Sequence, residues 1–156
     1  MPPKDVQALD DVDRRLVVLL QRDGRMPNNE LARRAGIAPS TCLNRVRGLQ
    51  ERGVIRGVHA DVDLGALGLT IEAMIAVVLR REARASIPRF AGIMQEKPYV
   101  INAFYVSGSY DYLLHVACDG TDGLREVVND LSVMPQVAGT ETHLIFEHRP
   151  GRAVGE

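Results

Sequence analysis

The chain has 156 residues, enough for one large or two small domains, and 46% of them are hydrophobic, which permits a packed core and argues against wholesale disorder. No apolar run approaches the roughly 20 residues of a membrane span, and the polar start Met1-Pro2-Pro3-Lys4-Asp5 lacks the apolar stretch of a secretion signal. The net charge of −1 is divided: residues 1–60 carry 11 Lys and Arg against 7 Asp and Glu (net +4), whereas residues 61–156 carry 8 against 13 (net −5), as in a nucleic-acid-binding module joined to a regulatory one, although solubility alone accounts for it equally well.

Asp10 or Asp11 can cap a first helix whose apolar face is Val12, Leu16, Leu19 and Leu20, and Asp23-Gly24 ends it. Asn28 can cap a second helix with Leu31, Ala32 and Ala35 inward and Gly36 as its stop. After the Gly36-Ile37-Ala38 turn, Pro39 suits the first position of a third helix, which turns Cys42, Val46 and Leu49 inward and ends at Gly53. Two short helices joined by a glycine-containing turn make a helix-turn-helix. At about 100° per residue, the face opposite Cys42, Val46 and Leu49 carries Ser40, Asn44, Arg47 and Glu51, with Thr41 beside it.

That edge is either an ordinary solvated helix face or one that enters a DNA major groove. Cap, turn, helix length and the 10 Arg of residues 14–60 agree on the second reading. Pro39, Ser40 and Thr41 then lie at the N-terminal end, from which short side chains reach base edges. Asn44 suits an adenine edge and Arg47 a guanine or a phosphate. Arg45, Arg52 and Arg56 suit phosphate, which gives affinity without sequence information. Cys42 reads as a small core residue.

Residues 54–62 alternate enough for a strand, and Leu64-Gly65-Ala66-Leu67-Gly68-Leu69 then breaks the pattern. The expected organisation is a helix-turn-helix domain over 1–60, a hinge over 61–68, a second domain over 69–149 and an unstructured tail over 150–156. In the second domain, residues 70–82 read as a buried strand, and Ser86 can cap a helix with Ile87, Phe90, Ala91 and Met94 on one face. Residues 100–106 and 112–118 are two apolar strands joined through Ser107-Gly108-Ser109-Tyr110-Asp111. Thr121 or Asp122 starts a helix with Leu124, Val127, Val128 and Leu131 inward, and residues 137–147 form a last strand. The class is α+β. The order βαββαβ predicts a ferredoxin-like antiparallel sheet of four strands with both helices on one face, leaving an open face for which a partner chain is the simplest cover.

Both halves resemble the Lrp/AsnC family of transcriptional regulators (leucine-responsive and asparagine-operon regulators). The match lies in Leu9-Asp10-x-x-Asp13-Arg14, Asp23-Gly24-Arg25, Glu30-Leu31-Ala32, the stretch from Gly36 to Leu49, Gly53-Val54-Ile55, and Val106-Ser107-Gly108-Ser109-Tyr110-Asp111-Tyr112-Leu113-Leu114, and it spans roughly residues 8–149. The resemblance implies a winged-helix-like N-terminal domain and a C-terminal domain that dimerises by its sheet. It further implies a homodimer that assembles into tetramers or octamers, and an amino acid effector bound between effector domains. The positions matching the family's pocket are Ser107, Gly108, Ser109, Tyr110, Asp111 and Tyr112 of the loop, Thr121 at the second helix, and Thr140 and Thr142 on the last strand. Ser109 stands where many members carry an acid, and Ala38 where a capping Ser is common.

The loop chemistry agrees with such a pocket: Gly108 lets backbone N–H groups approach a carboxylate, and Asp111 can hold an ammonium. It agrees equally with a tight turn in which Gly108 supplies geometry and Asp111 a local hydrogen bond. Thr140 and Thr142 are also good strand formers. His59, His115, His143 and His148 lack metal-site spacing, and no phosphate loop, nucleophile elbow or cysteine cluster appears, so neither a metal, a cofactor nor an enzyme is expected. With Cys42 and Cys118 far apart in apolar patterns, a reducing, cytoplasmic, nucleoid-associated setting on double-stranded DNA is expected, with no membrane. The alternative function is a ligand-independent architectural DNA-binding protein of the same fold.

Overall fold

A computed structural model of the chain describes residues 9–83, 87–149 and 151. Contacts divide it into two compact units, with the division between Asp61 and Val62. The expected Ser86 cap and nearly all of the tail lie outside the described residues.

The N-terminal unit holds three helices, α1 (Asp11–Arg22), α2 (Asn28–Ala35) and α3 (Pro39–Glu51). Asp10 caps α1 as its spacing suggests, its carboxylate accepting from the Asp13 N–H at 2.8 Å. Leu16, Leu31, Ala32, Ala35, Cys42 and Leu49 form the core. Gly36, left-handed at φ 74, makes the sharp turn between α2 and α3. Two expectations are corrected. Asn28 does not cap α2; it is the helix's first residue, and its side-chain amide donates to Pro39 O at 2.9 Å, tying the start of α2 to the start of α3. Residues 54–62 form no strand. The N–H groups of Val54 and Ile55 both turn back to Leu49 O, at 2.9 and 3.1 Å, and these two side chains pack on the helical core, whereas Val58 and Val62 are about half exposed.

The second unit begins with a short 3₁₀ turn at Gly65–Leu67, followed by β1 (Ile71–Leu79), α4 (Ile87–Gln95), β2 (Val100–Tyr105), β3 (Tyr112–Cys118), α5 (Thr121–Ser132) and β4 (Val137–Ile145). The sheet order is β2-β3-β1-β4, with every neighbouring pair antiparallel. Both helices cover one face, as expected: Phe90 and Met94 of α4 and Val127 and Leu131 of α5 pack on Ala73, Ile75, Val77, Leu114 and Val116. Alternation sends Met74, Ala76, Val78, Leu113 and Phe104 to the other face, where Phe104 is half exposed. A polar row crosses that face: His115 bonds Glu72 on β1 at 2.9 Å and Asn102 on β2 at 3.3 Å.

Leu114, wholly buried at the sheet centre, sets the packing of the unit. Leu114→Ala is expected to cost about 2–5 kcal/mol by urea denaturation, the range for a large core truncation.

Candidate DNA-binding face and effector loop

The groove-facing edge predicted for α3 is exposed. Pro39, Ser40, Thr41, Asn44 and Arg47 all face solvent, and the side chains of Ser40, Thr41, Asn44 and Arg47 make no hydrogen bond or ion pair among the described residues. No side chain caps α3 at Ala38, so its start is held by Asn28. Arg56 follows in the irregular segment, also exposed and unpaired among the described residues.

The structure separates the three arginines that the sequence grouped as phosphate contacts. Arg45 Nη1 donates to Asp10 Oδ2 at 2.6 Å and to Asp13 Oδ1 at 2.8 Å, and Arg52 Nη2 donates to Asp13 Oδ2 at 2.9 Å. Both guanidiniums are thus turned onto α1, leaving Arg56 as the member of the trio without a protein partner among the described residues. The Asp13 N–H and then the Arg45 guanidinium hold the Asp10 carboxyl below its ordinary range. Sequence reasoning missed Asp13 as a structural group. Its signal was there: an acid at i−3 from Leu16, inside the apolar arc of α1, needs a cation if that arc is buried.

The expected effector residues fall into three places. Ser107, Gly108 and Ser109 are exposed at the turn between β2 and β3, with Gly108 at φ 113, a conformation that side-chain-bearing residues rarely adopt. Tyr110 donates to Glu141 on β4. Asp111 closes the turn, its N–H donating to Val77 O at 2.9 Å and its carbonyl accepting from Val106 N–H at 3.1 Å. Its Oδ2 accepts from Leu79 N–H at 2.8 Å, where the β1–β4 register shifts. The carboxylate is therefore tied to the backbone of β1, 32 residues away, rather than within its own turn. Tyr112 is a core residue, 2% exposed, tilted against Phe90 and donating to Ile87 O. Thr140 lies opposite Val77, which is itself opposite Tyr112, so the row Tyr112–Val77–Thr140 joins the loop to β4, with Thr142 one pleat further on.

Thr121 is not brought to this loop. It starts α5 beyond the far end of β3, roughly 20 Å along the strand from Asp111. A cavity of about 440 Å³ opens at that far end, with Asp119 and Gly123, on either side of Thr121 in the chain, among its lining residues. There the Tyr99 hydroxyl and Lys97 both hold Asp130. Among the described residues no cluster of three His, Cys, Asp or Glu could hold a metal, and no helix is long and apolar enough to cross a membrane.

Comparison with known proteins agrees with both halves. Residues 9–50 match the AsnC-type helix-turn-helix domain, and residues 72–151 match the Lrp/AsnC ligand binding domain. The HTH-type transcriptional regulator AldR of Mycolicibacterium smegmatis is 49% identical over 152 residues, covering 96% of this chain and 89% of that protein. The leucine-responsive regulatory protein of Rhizobium meliloti is 37% identical over 137 residues, covering 87% and 88%. Among solved structures, a Neisseria meningitidis transcriptional regulator in complex with L-Met superposes with a TM-score of 0.82 at 27% identity, covering 92% of this chain and 94% of that one.

The Asp111 bond to Leu79 predicts a stability effect independent of any ligand. Asp111→Ala leaves the Leu79 N–H without its acceptor and is expected to cost about 1–3 kcal/mol by urea denaturation in ligand-free buffer.

Proposed function

The chain belongs to the Lrp/AsnC family of DNA-binding transcriptional regulators, and on that footing we propose that an amino acid, bound between the effector units of a homo-oligomer, modulates its hold on DNA. One observation carries the DNA side: the edge Ser40, Thr41, Asn44 and Arg47 is exposed and without protein partners among the described residues. In this reading Pro39, Ser40 and Thr41 lie over the groove floor, Asn44 takes an adenine edge, Arg47 a guanine or a phosphate, and Arg56 a phosphate. Two such helices in a dimer meet successive major grooves about 34 Å apart, or multiples of that.

The apolar face carrying Met74, Leu113 and Phe104 supports a homodimer through the sheet, and further assembly to tetramers or octamers lets several helix-turn-helix units act on one stretch of DNA. On the effector side, the exposed Gly108 turn offers backbone N–H groups to an α-carboxylate, with Ser107, Ser109, Tyr110, Thr140 and Thr142 around it. Asp111 supplies negative charge for the ammonium while keeping Leu79. Thr121, at the far end of the strand, reaches such a pocket only from a second chain. The L-Met complex of the N. meningitidis relative supports an amino acid as the effector class. Effector binding changes assembly or DNA affinity only if the two states bind it unequally.

The engagement of Asp111 with the backbone favours a second reading, an architectural DNA binder without an effector. Thermal melting against each of the twenty amino acids separates the two. An effector at 100 times its dissociation constant adds about 2.7 kcal/mol of stability; a flat response to all twenty leaves the architectural reading. On the DNA side, Asn44→Ala is expected to weaken binding to a selected duplex by about 1–3 kcal/mol and to leave binding to a scrambled duplex nearly unchanged. Equal losses on both duplexes refute the groove assignment.

A further inference from the structure

Asp13 is the one buried charged or polar residue in the described chain, 6% exposed, and each of its carboxylate oxygens receives a guanidinium, one from Arg45 on α3 and one from Arg52, the residue that follows its last turn. The donors, Arg45 and Arg52, are seven residues apart. That is two helical turns, roughly 10 Å along the axis, on one edge of α3. Arg45 also bonds Asp10, the cap of α1, and Arg52 Nε returns to Gly48 O at 3.2 Å. α1 therefore grips α3 at two levels, while Asn28 holds its start. The apolar contacts of α3 come from Cys42, Val46 and Leu49, and no side chain caps it. A carboxylate with two fixed donors specifies both rotation and slide, because either displacement leaves a buried charge unpaired.

We propose that Asp13 is the positioning residue of the recognition helix, and that Arg45 and Arg52 act on DNA through it rather than by neutralising phosphates. The inference rests on the reading of the Ser40–Arg47 edge as the groove face, and it sorts the basic residues of this half into two kinds. Arg47 and Arg56 are available to DNA. Arg45 and Arg52 hold the helix at the angle that lets Asn44 and Arg47 reach.

The test uses the full chain, a duplex selected by it from random sequence, and a scrambled duplex of equal length. Affinity is measured across salt concentrations, with the folded fraction of each variant checked by its melting curve. A lost phosphate contact lowers the slope of log affinity against log salt by about 1. Arg56→Gln is expected to show that loss on both duplexes. Arg52→Gln and Asp13→Asn are each expected to keep the wild-type slope while losing about tenfold or more of the preference for the selected duplex, the discrimination carried by one bidentate base contact. The double variant is expected to lose no more preference than Asp13→Asn alone, since Arg52 acts through Asp13.

The proposal is overturned if Arg52→Gln lowers the slope by about one unit, or if the losses add. It is overturned equally if Asp13→Asn lowers the melting temperature but leaves the preference intact, because that is stabilisation without positioning. If Asp13→Asn does not fold, the slope and preference of Arg52→Gln decide alone. Asn44→Ala keeps the two readings apart: if it leaves the preference unchanged the groove face is wrong, whereas a loss with Asn44→Ala and none with Arg52→Gln removes only the positioning role.

Discussion

A carboxylate taken out of water costs several kcal/mol unless it is paired, and in the N-terminal unit that constraint falls on Asp13. The residue lies beside Leu16 at the edge of a core that also holds Cys42 and Leu49. Burial of α1 against α3 is thus inseparable from the meeting of Asp13 with Arg45 and Arg52. Hydrophobic packing brings the helices together and narrows their crossing angle, and the ion pairs add a directional constraint to it. The exposed edge of α3 is thus flanked by the anchored stripe that runs from Thr41 through Arg45 to Arg52, so a contact with α1 bears on the direction of that edge.

The second unit is organised around β1, which has β3 on one side and β4 on the other. Its pleat sorts side chains between two different environments. Ala73, Ile75 and Val77 enter the helical core, and Met74, Ala76 and Val78 face the open side. The row Glu72–His115–Asn102 sets a polar strip across that open side, its members satisfied by one another.

Much of this was legible in the sequence because it is local. The Asp10 cap, the glycine at the turn into α3 and the bounds of β3 depend on residues within one or two turns of each other. The strand expected over residues 54–62 failed because a ladder needs a partner segment. Val54 and Ile55 pack instead on the helical core and give their N–H groups to the end of α3, and Val58 and Val62 are left about half exposed. Asn28 was read by its preference for caps, and the structure uses the same amide for a bond eleven residues away. Arg45 and Arg52 were read by charge, whereas their partners lie 32 and 39 residues off. In the effector loop, Ser107 to Ser109 stand exposed, while Tyr112 is in the core and Thr121 lies beyond the reach of the same chain's loop. Motif position groups residues by resemblance, but not by which of them the folded chain brings together.

The placement of the two thiols has a practical consequence. The chain has two cysteines, one in each unit, and both are buried, Cys42 at 0% and Cys118 at 6% exposure. Burial pushes both thiols above their ordinary range, so neither is a ready nucleophile while its unit is closed. Cys118 borders the cavity at the far end of β3, whereas Cys42 is wholly enclosed. A thiol-reactive dye therefore labels Cys42 only when the helical unit opens, and its labelling rate is a clock for that opening.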